Sequence, residues 1–201
     1  ETKALERACA EAGQTAAKLL ERCGAVPSTH DYHLGRFLHE HFPKGTAFPA
    51  GGEAVVPAEL PRAAVAAFSL DDATTTEIDD AFSVTPLADG RVRVGIHIAA
   101  PGLGFAPGSP LDAVARARLS TIYFPGNKIT MLPPQAIAAF SLAAGSACPA
   151  LSLYLDVQEA DFEIRNRHTA IERVPIAANL RHRGTERLDA AFPAGEVPDD
   201  V

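Results

Sequence analysis

The sequence predicts an α+β fold, with a helical N-terminal segment ahead of a domain of strands, helix and long loops. Three observations predict it. Apolar residues recur at three- and four-residue steps before residue 42, and alternate along several segments between Ala66 and Val157. No regular strand–helix–strand alternation links the two patterns, which argues against a parallel α/β sheet.

The first helix is expected over residues 1–24, where Leu5, Ala8, Cys9, Ala12, Ala16, Leu19, Leu20 and Cys23 form one stripe and Gly24 supplies the stop. On such a helix Cys9 and Cys23 stand about 21 Å apart at ~1.5 Å per residue, too far to bridge. A second helix should begin at Ser28 or Thr29 and turn Tyr32, Leu34, Phe37 and Leu38 inward. Residues 1–42 therefore read as an N-terminal helical segment, 43–62 as a Pro/Gly-rich linker and 63–201 as the main domain. The opening residues include no initiator Met and the last ones read as a loop, so a piece of a longer chain is expected.

In the main domain, Phe68 and Leu70 alternate into an acidic loop, and Phe82 to Val84 leads out of it. Ala88 to Arg91 carries the Asp-Gly step of a tight hairpin before Val92, Val94, Ile96 and Ile98. Leu111 to Thr121 has helical spacing. Pro125-Gly126 and Pro133-Pro134 punctuate an irregular stretch, and Leu151, Leu153, Leu155 and Val157 alternate as a strand with a partner from Phe162 to Ile171.

Composition narrows the function classes. The chain has 201 residues, 47% of them hydrophobic and 21% charged, an ordinary balance for a cored globular protein. No apolar run approaches the ~18 residues of a membrane span. Cysteine spacing offers no zinc or disulfide framework, so a reducing, cytoplasmic setting is the expectation. A net charge of −7 weighs against a nucleic-acid partner as a whole-chain average but leaves room for a local basic track.

The chemistry gathers at Asp71, Asp72, Glu77, Asp79 and Asp80, five carboxylates within ten residues and no Lys or Arg among them. Hard oxygen donors of this kind suit Mg²⁺, Mn²⁺ or Ca²⁺ rather than zinc. The EF-hand spacing is absent, since Ala73 and Thr75 stand where it needs donors, and so are the phosphate-binding glycine motifs. Two readings remain from the residues alone, metal-assisted chemistry at a phosphate or a solvated acidic turn.

The segment Phe68–Val84 closely resembles the motif that opens the catalytic domain of the ribonuclease II and ribonuclease R (RNB) family. That family's acidic pattern places one carboxylate first, another six positions later and then two adjacent ones, here Asp71, Glu77, Asp79 and Asp80. Val94–Ala99, Gly108–Asp112, Tyr123 to Pro133, Ser141-Leu142 and Leu151–Leu155 resemble later family segments in the right order, covering about residues 66 to 173. The resemblance implies the N-terminal part of an RNB catalytic domain over 63–201. It also implies Mg²⁺- or Mn²⁺-dependent, 3′-to-5′ hydrolysis of single-stranded RNA to nucleoside 5′-monophosphates. By the same resemblance, Asp71, Glu77, Asp79 and Asp80 are metal ligands and catalytic residues, with most weight on Asp71 and Asp80, and Tyr123 stacks on an RNA base. Asp72 falls where the family tolerates other residues and reads as structural.

Glu77 stands where the family has Asp, one methylene or about 1.5 Å longer. Ala100 replaces an acid, and Cys148 replaces an Arg. These departures keep an RNA-binding RNB relative without full catalysis as the alternative, beside an α+β domain with a Ca²⁺-stabilised loop. The family domain extends further and its later half supplies more active-site groups, so these residues alone are expected to be inactive. His97, alone in an apolar strand, reads as a core histidine. Arg116 and Arg118 fit either a phosphate contact or a solvated face. Arg165, Arg167, Arg173, Arg181, Arg183 and Arg187 form the one basic-rich stretch, a candidate backbone track or a solvent-facing edge. Protein partners cannot be read from the sequence.

Overall fold

The computed structural model describes residues 2–50 and 53–182. The chain divides into two compact units, residues 1–47 and 48–201.

The first unit holds three helices, α1 (Lys3–Ala12), α2 (Ala16–Arg22) and α3 (Thr29–His41). Each starts at a hydroxyl residue, Thr2, Thr15 or Ser28, whose side chain accepts a hydrogen bond from a first-turn backbone N–H. The single helix expected over residues 1–24 is in fact two. Gly13 adopts the left-handed conformation at φ 61° and ends α1, and Thr15 caps a new start. The apolar stripe continues through the break, so periodicity alone hides it. Cys9 therefore lies in α1, while Cys23 follows α2 as its C-cap.

In the second unit, β1 (Ala67–Asp72), β2 (Asp80–Pro86), β3 (Arg91–Ala99), β6 (Ala147–Gln158) and β7 (Ile164–His182) close into a barrel in that order. Between β3 and β6 lie a 3₁₀ turn (Pro101–Gly104), α4 (Pro110–Arg118), the hairpin β4 (Ile122–Phe124) and β5 (Asn127–Ile129), and α5 (Pro134–Phe140). The hairpin and α5 fall in the stretch expected to be irregular. The Asp-Gly hairpin forms between β2 and β3, with Asp89 at φ 62° and Gly90 at φ 65°, the left-handed pair that a two-residue turn requires.

Closure depends on β7. Its first part pairs antiparallel with β6, from Ile164 opposite Val157 to Pro175 opposite Ala147. The strand then runs on in parallel beside β1, setting Ser69 against Asn179 and Asp71 against Arg181. One end of the barrel is filled by Ala67, Ala81, Ala150, Val174 and Ile176, with Ile78 and Leu142 from the loops.

The rest of the interior is polar. His97 is fully buried, with Nε2 2.9 Å from Ser83 Oγ and Nδ1 2.8 Å from Ser152 Oγ. Burial pushes its pKa down, which favours the neutral ring. Gly95 makes room for it, because a Cβ there would come within 2.7 Å of His97 Nε2 and nearer still to Ser83 Oγ. Tyr154 donates to Glu172 at 2.6 Å, and burial together with that carboxylate pushes the phenol up to about 12. Asp156 takes a two-pronged contact from Arg93 at 2.6 and 3.0 Å, which lowers its carboxyl to about 2.

Candidate active site

Strands β1 and β2 position the acidic residues. Asp71 is the penultimate residue of β1 and Asp80 opens β2, so the loop 73–79 must turn between them. Its far end is anchored by Ile78, whose side chain is buried in the core. Ile78 N–H donates to Ser141 Oγ at 3.0 Å, and its carbonyl accepts Leu142 N–H at 2.9 Å. Next to it, the Asp79 carbonyl accepts Ala99 N–H at 2.8 Å. Glu77 and Asp79 flank this anchored residue, and both line a cleft of about 470 Å³ that also includes Thr121, Tyr123, Met131 and Ser141.

Each carboxylate has a distinct environment. Asp71 is half-buried, and its Oδ2 accepts from Ser69 Oγ at 2.5 Å while Arg181 Nη1 stands 3.8 Å away. Glu77 is ion-paired with Lys128. The Asp79 carboxyl is pushed above its usual range by burial, then by the negative charges of Glu77, Asp80 and Asp71, with Lys128 opposing. Asp72 is exposed, and its carbonyl accepts from Arg181 at 3.1 Å.

Tyr123 is 72% exposed and sits directly opposite Lys128 across the β4–β5 hairpin. Residues directly opposite on paired strands share a face, so one small hairpin carries both an exposed aromatic ring and the cation that meets Glu77. The cleft brings Glu77, Asp79 and Tyr123 together, whereas Asp71 and Asp80 lie outside its lining. Among the described residues, no three His, Cys, Asp or Glu side chains converge closely enough to hold a metal ion.

Other residues resolve into plainer roles. Arg118 donates to the Thr130 carbonyl at 2.6 Å and lies 4.1 Å over the Phe48 ring, so it braces the domain. Arg116 is exposed. In the basic-rich stretch, Arg165 meets Asp161 and Glu163, Arg173 donates to the Ala147 carbonyl at 3.2 Å, and Arg181 reaches the acidic loop. Arg183 and Arg187 lie outside the described residues. Cys148 is buried and donates to the Ser141 carbonyl at 3.0 Å. Sequence reasoning missed Lys128, Ser69 and Asn179, since none has a spacing partner that would single it out.

The sequence model of the RNB domain matches residues 63–173. The chain belongs to the RNB family. It is 42% identical over 93 residues to the uncharacterized ribonuclease sll1290 of Synechocystis, covering 46% of this chain and 14% of that protein. It is 34% identical over 117 residues to exoribonuclease 2 of Escherichia fergusonii, covering 55% of this chain and 18% of that one. The chain thus spans less than a fifth of the length of these relatives. In fold, it matches the yeast pseudonuclease Ssd1 with a TM-score of 0.63 at 18% identity, over 75% of this chain and 19% of Ssd1. It also matches Mycoplasma genitalium RNase R in complex with ribose-methylated single-stranded RNA with a TM-score of 0.58 at 17% identity, over 82% of this chain and 25% of that one. Among the described residues, no helix is long and apolar enough to cross a membrane.

Proposed function

We propose that this RNB region carries the metal-binding part of an exoribonuclease active site. The parent enzyme hydrolyses single-stranded RNA from its 3′ end and releases nucleoside 5′-monophosphates. The observation that carries the reading is the Asp79 carboxyl, pushed above its normal range by burial and then by three other acidic side chains, in a cleft also lined by Glu77 and the exposed Tyr123. Such a cluster is stabilised by a cation, and its all-oxygen donor set suits Mg²⁺ or Mn²⁺. A cation already stands there in the form of the Lys128 ammonium on Glu77.

Asp71, Asp79 and Asp80, whose side chains do not converge in the described arrangement, would hold the ion once they turn toward one another, and Glu77 would join them on exchanging Lys128 for metal. When bound, the ion supplies a more acidic water and neutralises charge at the phosphate. Tyr123 offers a stacking face for the terminal base, a contact worth ~1–3 kcal/mol and indifferent to sequence. A cytoplasmic setting accords with the free thiols Cys9, Cys23 and Cys148. A second reading, an RNA-binding relative that does not cut, is favoured by the Lys128–Glu77 pair, which occupies one ligand.

A single-stranded homopolymer labelled at its 5′ end and incubated with the full-length protein and Mg²⁺ decides between them. The leading reading expects stepwise shortening from the 3′ end and loss of turnover in Asp80→Asn. Tight RNA binding without shortening would establish the second reading instead. The isolated 201-residue stretch is expected to be inactive, because it covers only part of its relatives.

A further inference from the structure

We propose that Lys128 is a substrate-binding residue, which holds the backbone phosphate of the nucleotide whose base stacks on Tyr123. The inference rests on the reading above that the cleft takes single-stranded RNA, and it adds a contact to it. The β4–β5 hairpin sorts its side chains onto two faces. Ile122 and Ile129 stand opposite one another on the first, and Ile129 is buried. Tyr123 and Lys128 form the next pair along, so they project together from the second face. Tyr123 lines the cleft and is exposed, and the Lys128 ammonium ends on Glu77, which lines the same cleft.

A polyanion entering this cleft needs such a cation. The lining includes Glu77 and Asp79 and, among the described residues, no Lys or Arg. The nearby Arg118 is committed to the Thr130 carbonyl at 2.6 Å and to the face of the Phe48 ring. An ammonium has three N–H donors and no acceptor. One donor of Lys128 goes to Glu77 Oε1, which leaves the other two for phosphate oxygens. The ion pair therefore persists when RNA binds, and Lys128 acts on both sides. It cancels the Glu77 charge that would repel the phosphate, and it supplies the attraction itself. Within a nucleotide, one sugar separates the base from its phosphate, and the flexible four-carbon Lys stem spans the corresponding gap from the facing strand. Neither the ring nor the ammonium reads a base edge, so the pair grips any sequence alike.

Fluorescence anisotropy of the full-length protein with a labelled oligouridylate tests this, in EDTA and across a range of salt concentrations. Each phosphate contact of a single strand contributes about 0.7 to the slope of log affinity against log salt. Lys128→Met is expected to flatten the slope by about that amount, and Lys128→Arg to keep it. Tyr123→Ala should weaken binding about 5- to 150-fold. In the double variant the losses are expected to be subadditive, because both groups hold one nucleotide. Glu77→Gln separates a phosphate contact from a purely structural ion pair. It frees all three Lys128 donors and removes a negative charge, so it should bind RNA at least as tightly as wild type. A loss in Glu77→Gln equal to that in Lys128→Met would reduce the pair to a brace and overturn the proposal, as would strictly additive losses. Two further outcomes separate the claims. If the wild-type protein has no affinity for the oligouridylate, the RNA reading itself falls. If it binds and Lys128→Met keeps the wild-type slope, only the role of Lys128 falls.

Discussion

Two polar clusters share this barrel, and they are built on opposite terms. Around His97, each polar group faces a complementary one: the two ring nitrogens meet Ser83 and Ser152, Tyr154 meets Glu172, and Asp156 meets Arg93. At the acidic loop, four carboxylates lie near one another, and among the described residues the nearby cations, Lys128 and Arg181, do not match them in number. The interior cluster is matched because an unsatisfied buried group costs about 1–3 kcal/mol. The loop cluster stays unbalanced, which stability alone would not favour. Polarity in a core is therefore no sign of function by itself; the imbalance is.

The largest expected effect breaks the loop side of this comparison. Asp80→Asn in the full-length enzyme should lower Mg²⁺-dependent RNA turnover by about 10³-fold, since metal charge stabilisation supplies several kcal/mol and each ~1.4 kcal/mol is tenfold. Its melting temperature in metal-free buffer should not fall, because the change relieves repulsion. A marked fall would make the loop a structural cluster like the interior one.

His97→Leu tests the interior side. It strands two buried hydroxyls and should reduce stability by about 2–3 kcal/mol in urea unfolding, without altering Mn²⁺ affinity in the protein that remains folded. The pH dependence has the matching sign. The folded pKa of His97 lies below its ordinary 6.5, so its contribution is complete above that value and is lost as pH falls through the folded pKa. Asp79 runs the other way. Its folded pKa is raised above 3.8, so the metal-free protein gains stability as pH falls through that folded value. Unfolding curves across pH should show His97→Leu removing the first slope and Asp79→Asn the second. Smallest is Lys128→Met. An ion pair of this exposure contributes about 0.5–1 kcal/mol, so freeing Glu77 should tighten Mn²⁺ binding roughly two- to five-fold. Unchanged affinity would mean that Lys128 does not compete with metal.

Local signals were the legible ones. The Ser28 cap, the Asp89-Gly90 turn, the alternation from Leu151 to Val157 and the acid spacing from Asp71 to Asp80 all operate within a few residues, and all could be read along the chain. The break at Gly13 could not, because apolar spacing runs across it. Barrel closure could not either. It rests on Phe68 meeting Ala178, a pairing that no local pattern announces. Lys128 and Asn179 share that obscurity, since each matters only for what folding places beside it. Tyr123 became legible through its family motif, not through its exposure.

The two-partner strand β7 has a consequence for biogenesis. Its contacts with β1 are the most distant in sequence within the barrel, and such pairings close slowly because chain entropy must be lost first. Until residues 176–182 have emerged and docked, β1 presents an open edge, and open edges invite pairing with other chains. The strand that completes the sheet also carries Asn179 to Ser69 and Arg181 to Asp71. Assembly of the acidic site and protection against aggregation are thus one late event on the ribosome-to-native path.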